Sequence, residues 1–240
     1  MVNSKVIFLV HEKDFIFEAE VMKVVNIPFY SNTPDDTHCF QAALKMVLKY
    51  FLPAEEFSFE RLDEISAKKE GLWTWPLAAA LWMQDREFEV VNIEPFDYPR
   101  FIEEGGAYLI EEYGQEVGEA QIKHSDIDQE RAFSKRFIQR VKIQKRIPAI
   151  DDIRELMEQG FVVIANINSQ ALDSEEGYTG HFVVITGIDH RSIVLNDPGL
   201  PGRESYGVSL KNFEKAWAYP DEKAKNILAF KLERSSASHK

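Results

Sequence analysis

Cysteine is almost missing from this 240-residue sequence: Cys39 is the only one. An intramolecular disulfide is therefore impossible, and zinc sites built from several thiolates are excluded by count. Positive charge is also scarce, with 28 Lys and Arg against 40 Asp and Glu and a formal net charge of −12. A chain of that sign repels phosphate backbones and anionic headgroups, so nucleic acid and membrane surfaces are not expected partners. No window approaches the roughly 20 apolar residues of a membrane span. The apolar run at 6–10 is short and ends at His11-Glu12-Lys13-Asp14, which does not make a secretory signal. The expected compartment is the cytoplasm. Repeats and low-complexity segments are lacking too.

What the chain has is core material. A 45% hydrophobic share with 12% aromatics can bury a sizeable interior, and the length suits one large domain or two small ones. Apolar spacing predicts strands at 6–10 and 18–27, the second ended by Pro28. The SNTPDDTH stretch, 31–38, is turn chemistry throughout. A helix is expected over 39–51, with Ala42, Ala43, Met46, Val47 and Tyr50 on one face, followed by helices at 59–69 (Ser58 as N-cap) and 75–85 (Pro76 in the first turn). After a strand at 87–93 the pattern reads as helical and charged to about Gln144, broken at Gly105-Gly106 and Gly114. A helix at 151–159 follows.

The last third is β-rich, with strands at 161–167, 181–188, 192–196 and 226–232, a hairpin turn at 189–191 and a short helix at 210–217. The expectation is an α+β fold. A helical lobe (about 28–159) would face an antiparallel β lobe (about 160–232, plus the N-terminal strands) across a cleft. Together these would form one domain over 1–234 with a frayed tail at 235–240.

Cys39 falls where a turn-rich loop meets a helix start, where unpaired N–H groups and the helix dipole favour a thiolate. The same N–H groups suit an oxyanion. Taken alone, a single cysteine reads as an inert core residue. The odds change with Gly180-His181-Phe182-Val183-Val184, a histidine opening a hydrophobic strand, and with Asn196-Asp197-Pro198-Gly199, which ends the next one. A hairpin turning near Asp189 would bring Asp197 opposite His181, where a carboxylate fixes the imidazole tautomer. His38, Asp35 and Asp36 are too close in sequence to share one tetrahedral metal ion, and the two acids should face water. Trp73, Trp75 and Trp82 read as core or cleft wall, and His124 and His190 as surface residues.

Three blocks carry a resemblance: Ile27-Pro28-Phe29-Tyr30-Ser31-Asn32 leading to Cys39-(x)2-Ala42-Ala43-Leu44, then Gly180-His181-Phe182-Val183-Val184, then Asn196-Asp197-Pro198. Together they resemble the bacteriocin-leader-processing, or double-glycine, peptidases and their stand-alone relatives in the papain-like cysteine peptidase superfamily. The resemblance implies a papain-like fold and a catalytic Cys39, His181 and Asp197, acting on a peptide or amide substrate without a cofactor. Two departures stand out. The family has glycine after the cysteine where this chain has Phe40, and an upstream glutamine in the oxyanion hole, for which Asn32 is the nearest equivalent and Thr33 a weaker one. Two alternatives stay open: transpeptidase or amidase chemistry on a small γ-glutamyl-type substrate, as in phytochelatin-synthase relatives, and a degenerate module that only binds peptide.

Overall fold

A computed structural model describes residues 23–233. The strand expected at 6–10, the start of the one expected at 18–27, and the tail at 235–240 lie outside the described residues. In chain order the elements are β1 (Lys23–Val24), α1 (Cys39–Phe51), α2 (Phe59–Ser66), α3 (Leu77–Asp85), β2 (Phe88–Ile93), α4 (Tyr98–Glu104), α5 (Gly106–His124) and α6 (Ile127–Arg140). There follow β3 (Lys142–Gln144), α7 (Ile150–Glu158), β4 (Val162–Asn168), α8 (Ser169–Leu172), β5 (Gly180–Ile188), β6 (Ser192–Asp197), β7 (Arg203–Ser209), α9 (Leu210–Trp217) and β8 (Ile227–Leu232).

Helix starts follow their capping chemistry. Ser58 Oγ accepts the Arg61 amide, Asp97 that of Arg100, Asp126 that of Gln129 and Ser209 that of Asn212, each satisfying an orphan donor of a first turn. Gly114, at φ 80°, kinks α5 where a side chain would be strained. The 98–144 stretch is thus three helices and, contrary to the helical reading, a closing strand. Lys142–Gln144 pairs in parallel with Val91–Ile93. Three residues are too few to show a period, so the strand is set by its neighbour. In α1 the expected face holds except for Tyr50, which is 37% exposed; Phe40, Leu44 and Leu48 are buried instead. Packing on two sides makes this helix nearly all interior.

Among the described residues, eight strands form one sheet in the order β3-β2-β8-β4-β5-β6-β7, with β1 also on β5. Every pairing except β2–β3 is antiparallel. The sheet therefore draws two strands from inside the expected helical half. Side chains alternate across it. Ile164, Phe182, Val184, Leu228 and Phe230 pack on α1 and the other early helices. Val163, Ala165, Val183, Ile185 and Ala229 pack on α7 and α9 through Ile153, Phe213 and Trp217. Helices thus cover both faces of the sheet. The ends of β2 and β4 and the starts of β5 and β8 lie along one border, and that border forms one wall of the cleft.

Candidate active site

Cys39 is the first residue of α1, and the first amide of the helix to find a backbone partner is that of Ala42, on His38 O. The amides of residues 39–41 therefore point free of the helix, with its dipole behind them. Burial raises the Cys39 thiol, but the His181 imidazole, through hydrogen bonding and charge, and the amides of Phe182 and Phe40 lower it further, leaving it below the ordinary thiol value. Phe40, standing where the family has glycine, sends its side chain into the core edge-on to Phe182, with ring centroids 5.0 Å apart. Its ring is accommodated by the core, and its amide still serves the sulfur.

His181 is 7% exposed at the start of β5. Its Nε2 lies 2.6 Å from Asp197 Oδ1, and the pairing makes Nε2–H the donor and leaves Nδ1 as the nitrogen for the sulfur. Burial lowers the imidazole pKa, but Asp197 and Cys39 together raise it above its ordinary value. Asp197 is 1% exposed, and burial pushes it up. His181, the Gly199 amide and Arg203 outweigh that and hold it at about 2.

The hairpin register differs from the expected one. Val184 faces Asn196 and Ile185 faces Leu195, with a bulge before Gly187, so Asp197 sits across from Val183, diagonal to His181 on the same face. A diagonal neighbour is still within side-chain reach. Gly199 takes the place across from the histidine, and its amide donates to Asp197 Oδ1 at 2.9 Å.

Arg203 had no part in the sequence reading. It pairs with Asp197 across β6–β7, donating Nε (2.9 Å) and Nη2 (2.5 Å) to Oδ2, while Nη1 holds Asp173 at 2.5 Å. The available signal was an arginine six residues after the aspartate with a Pro-Gly-Leu-Pro-Gly turn between. Lys68 was also missed. Its Nζ donates to Thr37 O and Leu72 O, and its charge acts on Asp63 and Asp35 and, less strongly, on the thiol.

Asn32 and Thr33 sit in a loop network. Asn32 Oδ1 accepts the amides of His38 (2.7 Å) and Thr33 (2.9 Å), and Nδ2 donates to Asp36 Oδ1 at 2.7 Å. Thr33 Oγ1 bonds Asp35 and His38. Asp35 and Asp36 are exposed, as expected. The loop is laced onto the other half of the site: Asn32 N donates to Pro198 O and Asn196 Nδ2 to Ile27 O.

A cavity of about 390 Å³ opens over Cys39, His181 and Asp197 and runs past Trp73 and Trp75 to Glu94. Asp36 and Thr37 line it; Asn32 and Thr33 do not. Trp82 lies elsewhere, against Arg86. His124 stacks on Trp73, and His190 is exposed. Among the described residues no helix is long and apolar enough to cross a membrane.

The peptidase C39-like family model matches residues 103–224, just over half of the chain; the match includes His181 and Asp197 and begins after Cys39. No curated protein matched. Among solved structures, the chain is similar to the peptidase domain of Streptococcus ComA, a bi-functional ABC transporter, at 12% identity, 84% of this chain, 96% of that one and a TM-score of 0.45. A protein of Bacillus anthracis described as C39-like peptidase is similar at 17% identity, 90% of this chain, 100% of that one and a TM-score of 0.48. On the family match, which spans the strand histidine and the aspartate after it, the chain belongs to the peptidase C39-like family.

Proposed function

We propose that the chain is a cysteine peptidase that cleaves a peptide or amide bond through a thioester on Cys39. The observation that carries the reading is the buried His181–Asp197 pair at 2.6 Å, facing a thiol at a helix start. His181 Nδ1 takes the thiol proton, and the thiolate attacks the carbonyl carbon. The oxyanion forms beside the free amides of α1. These groups are pre-aimed, which is what makes such a donor effective. His181 returns its proton to the leaving amine as the C–N bond breaks. It then deprotonates the water that hydrolyses the thioester, and the thiol is restored.

Asn32 and Thr33 are the side-chain candidates for a further oxyanion donor. Their hydrogen bonds favour a holding role for both, with the backbone amides as donors. Asn32 Nδ2 keeps one N–H beyond its bond to Asp36.

The test is hydrolysis of a peptide library under reducing conditions. Cys39→Ala and His181→Ala should each abolish turnover while the melting temperature stays within a few degrees. Cys39 should also react with iodoacetamide at pH 6–7 faster than free cysteine, and His181→Ala should slow that reaction. Peptide binding without turnover would instead assign the chain a binding role, and alkylation that begins only near the free-thiol pKa would sink the activated nucleophile.

A further inference from the structure

The far end of the cavity holds a carboxylate that the proposed chemistry does not use. Glu94 follows β2, and its Oε1 accepts hydrogen bonds from Asn92 Nδ2 (2.7 Å) and Tyr98 Oη (2.5 Å). Both donors are neutral and both bonds fall on one oxygen. Among the described residues no lysine or arginine forms an ion pair with Glu94, unlike Asp97 close by, which holds Lys145 at 2.6 Å. Aromatic rings surround the group. Phe96 stacks on Tyr113 at 6.4 Å and meets Tyr98 and Trp75 edge-on at 4.8 and 6.0 Å, and all four line the cavity. Burial raises the Glu94 carboxyl above its ordinary value, with no cation to offset it.

A half-buried carboxylate with no cationic partner is costly, and the cost falls when a ligand brings the charge. Aromatic walls add attraction for a cation and take up an apolar stem. A lysine or arginine side chain has both parts, and the chain's excess of acid draws basic peptides toward it.

The sheet sets the distance. Ile93 pairs with Ile227, Ile164 with Leu228 and Asn166 with Phe182, so Glu94 lies three strands from His181 along one border. Three spacings of about 4.8 Å make roughly 14 Å, the length of about four extended residues. Part of that distance is spanned by the basic side chain itself.

We propose that Glu94 and its aromatic walls form a subsite for a lysine or arginine side chain of the substrate, three or four residues from the scissile bond. The inference rests on the peptidase reading, and its test separates the two. Alanine-rich peptides carrying one lysine, walked through the sequence, are compared with the same peptides carrying norleucine. Cleavage is followed with the unmutated protein, and binding with Cys39→Ala.

At one position lysine should be favoured by about 10–100-fold, the worth of a charge-assisted contact. The lysine-to-norleucine ratio should collapse toward one in Glu94→Gln and survive in part in Glu94→Asp. Cleavage with no lysine preference overturns the subsite and leaves the peptidase. A Glu94-dependent lysine preference in binding, with no cleavage of any peptide, keeps the subsite and overturns the peptidase. Neither cleavage nor preference overturns both. If the Glu94 variants fail to fold, the ratio in the unmutated protein decides alone.

Discussion

Two carboxylates stand at opposite ends of one cleft, and their surroundings push them in opposite directions. Asp197 meets an imidazole, an amide and the Arg203 guanidinium, and is held at about 2 despite burial. Glu94 meets an amide and a phenol, and burial alone decides its shift, upward. Both are close to the same sheet border. What differs is whether the chain supplies a positive charge of its own. At the Asp197 end the charges close on themselves and hold a histidine still. At the Glu94 end the pairing is left unfinished.

The largest break in that comparison should come from Asp197→Asn. An amide there would keep its oxygen on the Arg203 guanidinium and turn its NH2 to the imidazole, favouring the wrong tautomer, so kcat should fall by about 10²–10⁴ with little change in KM. Retention of more than a tenth of the rate would mean that Asp197 is structural.

Arg203→Met tests the clamp without touching the imidazole, and kcat should drop by about tenfold. It also carries a pH signature. A carboxylate whose folded pKa is lowered, here from 3.8 to about 2, contributes stability that is present above 3.8 and lost as pH falls through about 2. The variant should therefore melt below the parent at pH 5–7, and the gap should close toward pH 2. A gap that does not change with pH would rule out a role through Asp197.

Asn32→Ala strips the acceptor of two loop amides, and a cost of about 1–3 kcal/mol is expected, several degrees of melting temperature for a chain of this size. If kcat falls by 10²-fold or more while stability is unchanged, the Asn32 amide is an oxyanion donor and the holding role is wrong.

The smallest effect belongs to the other end. Glu94 is raised from 4.5, so its contribution is fully present below 4.5 and is lost as pH rises through its folded value. Glu94→Gln should therefore melt close to the parent at pH 4 and slightly above it at pH 8. A melting difference of the opposite sign would mean that Glu94 is ionised and paired.

Much of the fold was legible wherever one physical cause dominated. Turn residues running into an apolar stripe located α1, Ser58 marked the start of α2, and the Asp189–Arg191 turn located the β5–β6 hairpin. Elements held by neighbours were not legible. Lys142–Gln144 is short and charged, and Arg203–Ser209 reads RESYGVS, polar enough to pass for loop. Missing β7 meant missing Arg203, because its role exists only in the pairing with Asp197. The β5–β6 turn is centred later than Asp189, and the β-bulge before Gly187 shifts the register by one, which returns Asp197 to the histidine's face and keeps the pairing of the two. Glu94 gave no sign in sequence. A glutamate before a proline is ordinary, and only the rings of Trp75, Phe96, Tyr98 and Tyr113 gathered near it make it otherwise.

The lacing of the Asn32 loop onto the β6 end has a consequence for the order in which the molecule is made. Ile27 and Asn196 are 169 positions apart, and the imidazole that lowers the thiol arrives almost as late. On the ribosome, where synthesis runs from the amino end, Cys39 emerges well ahead of His181, Asp197 and Arg203. For most of that time the thiol lacks the imidazole that lowers it. Reactivity is thus acquired only after the segment through Arg203 has been made and the contacts of long sequence separation close, and a chain interrupted before then is left with an unarmed cysteine.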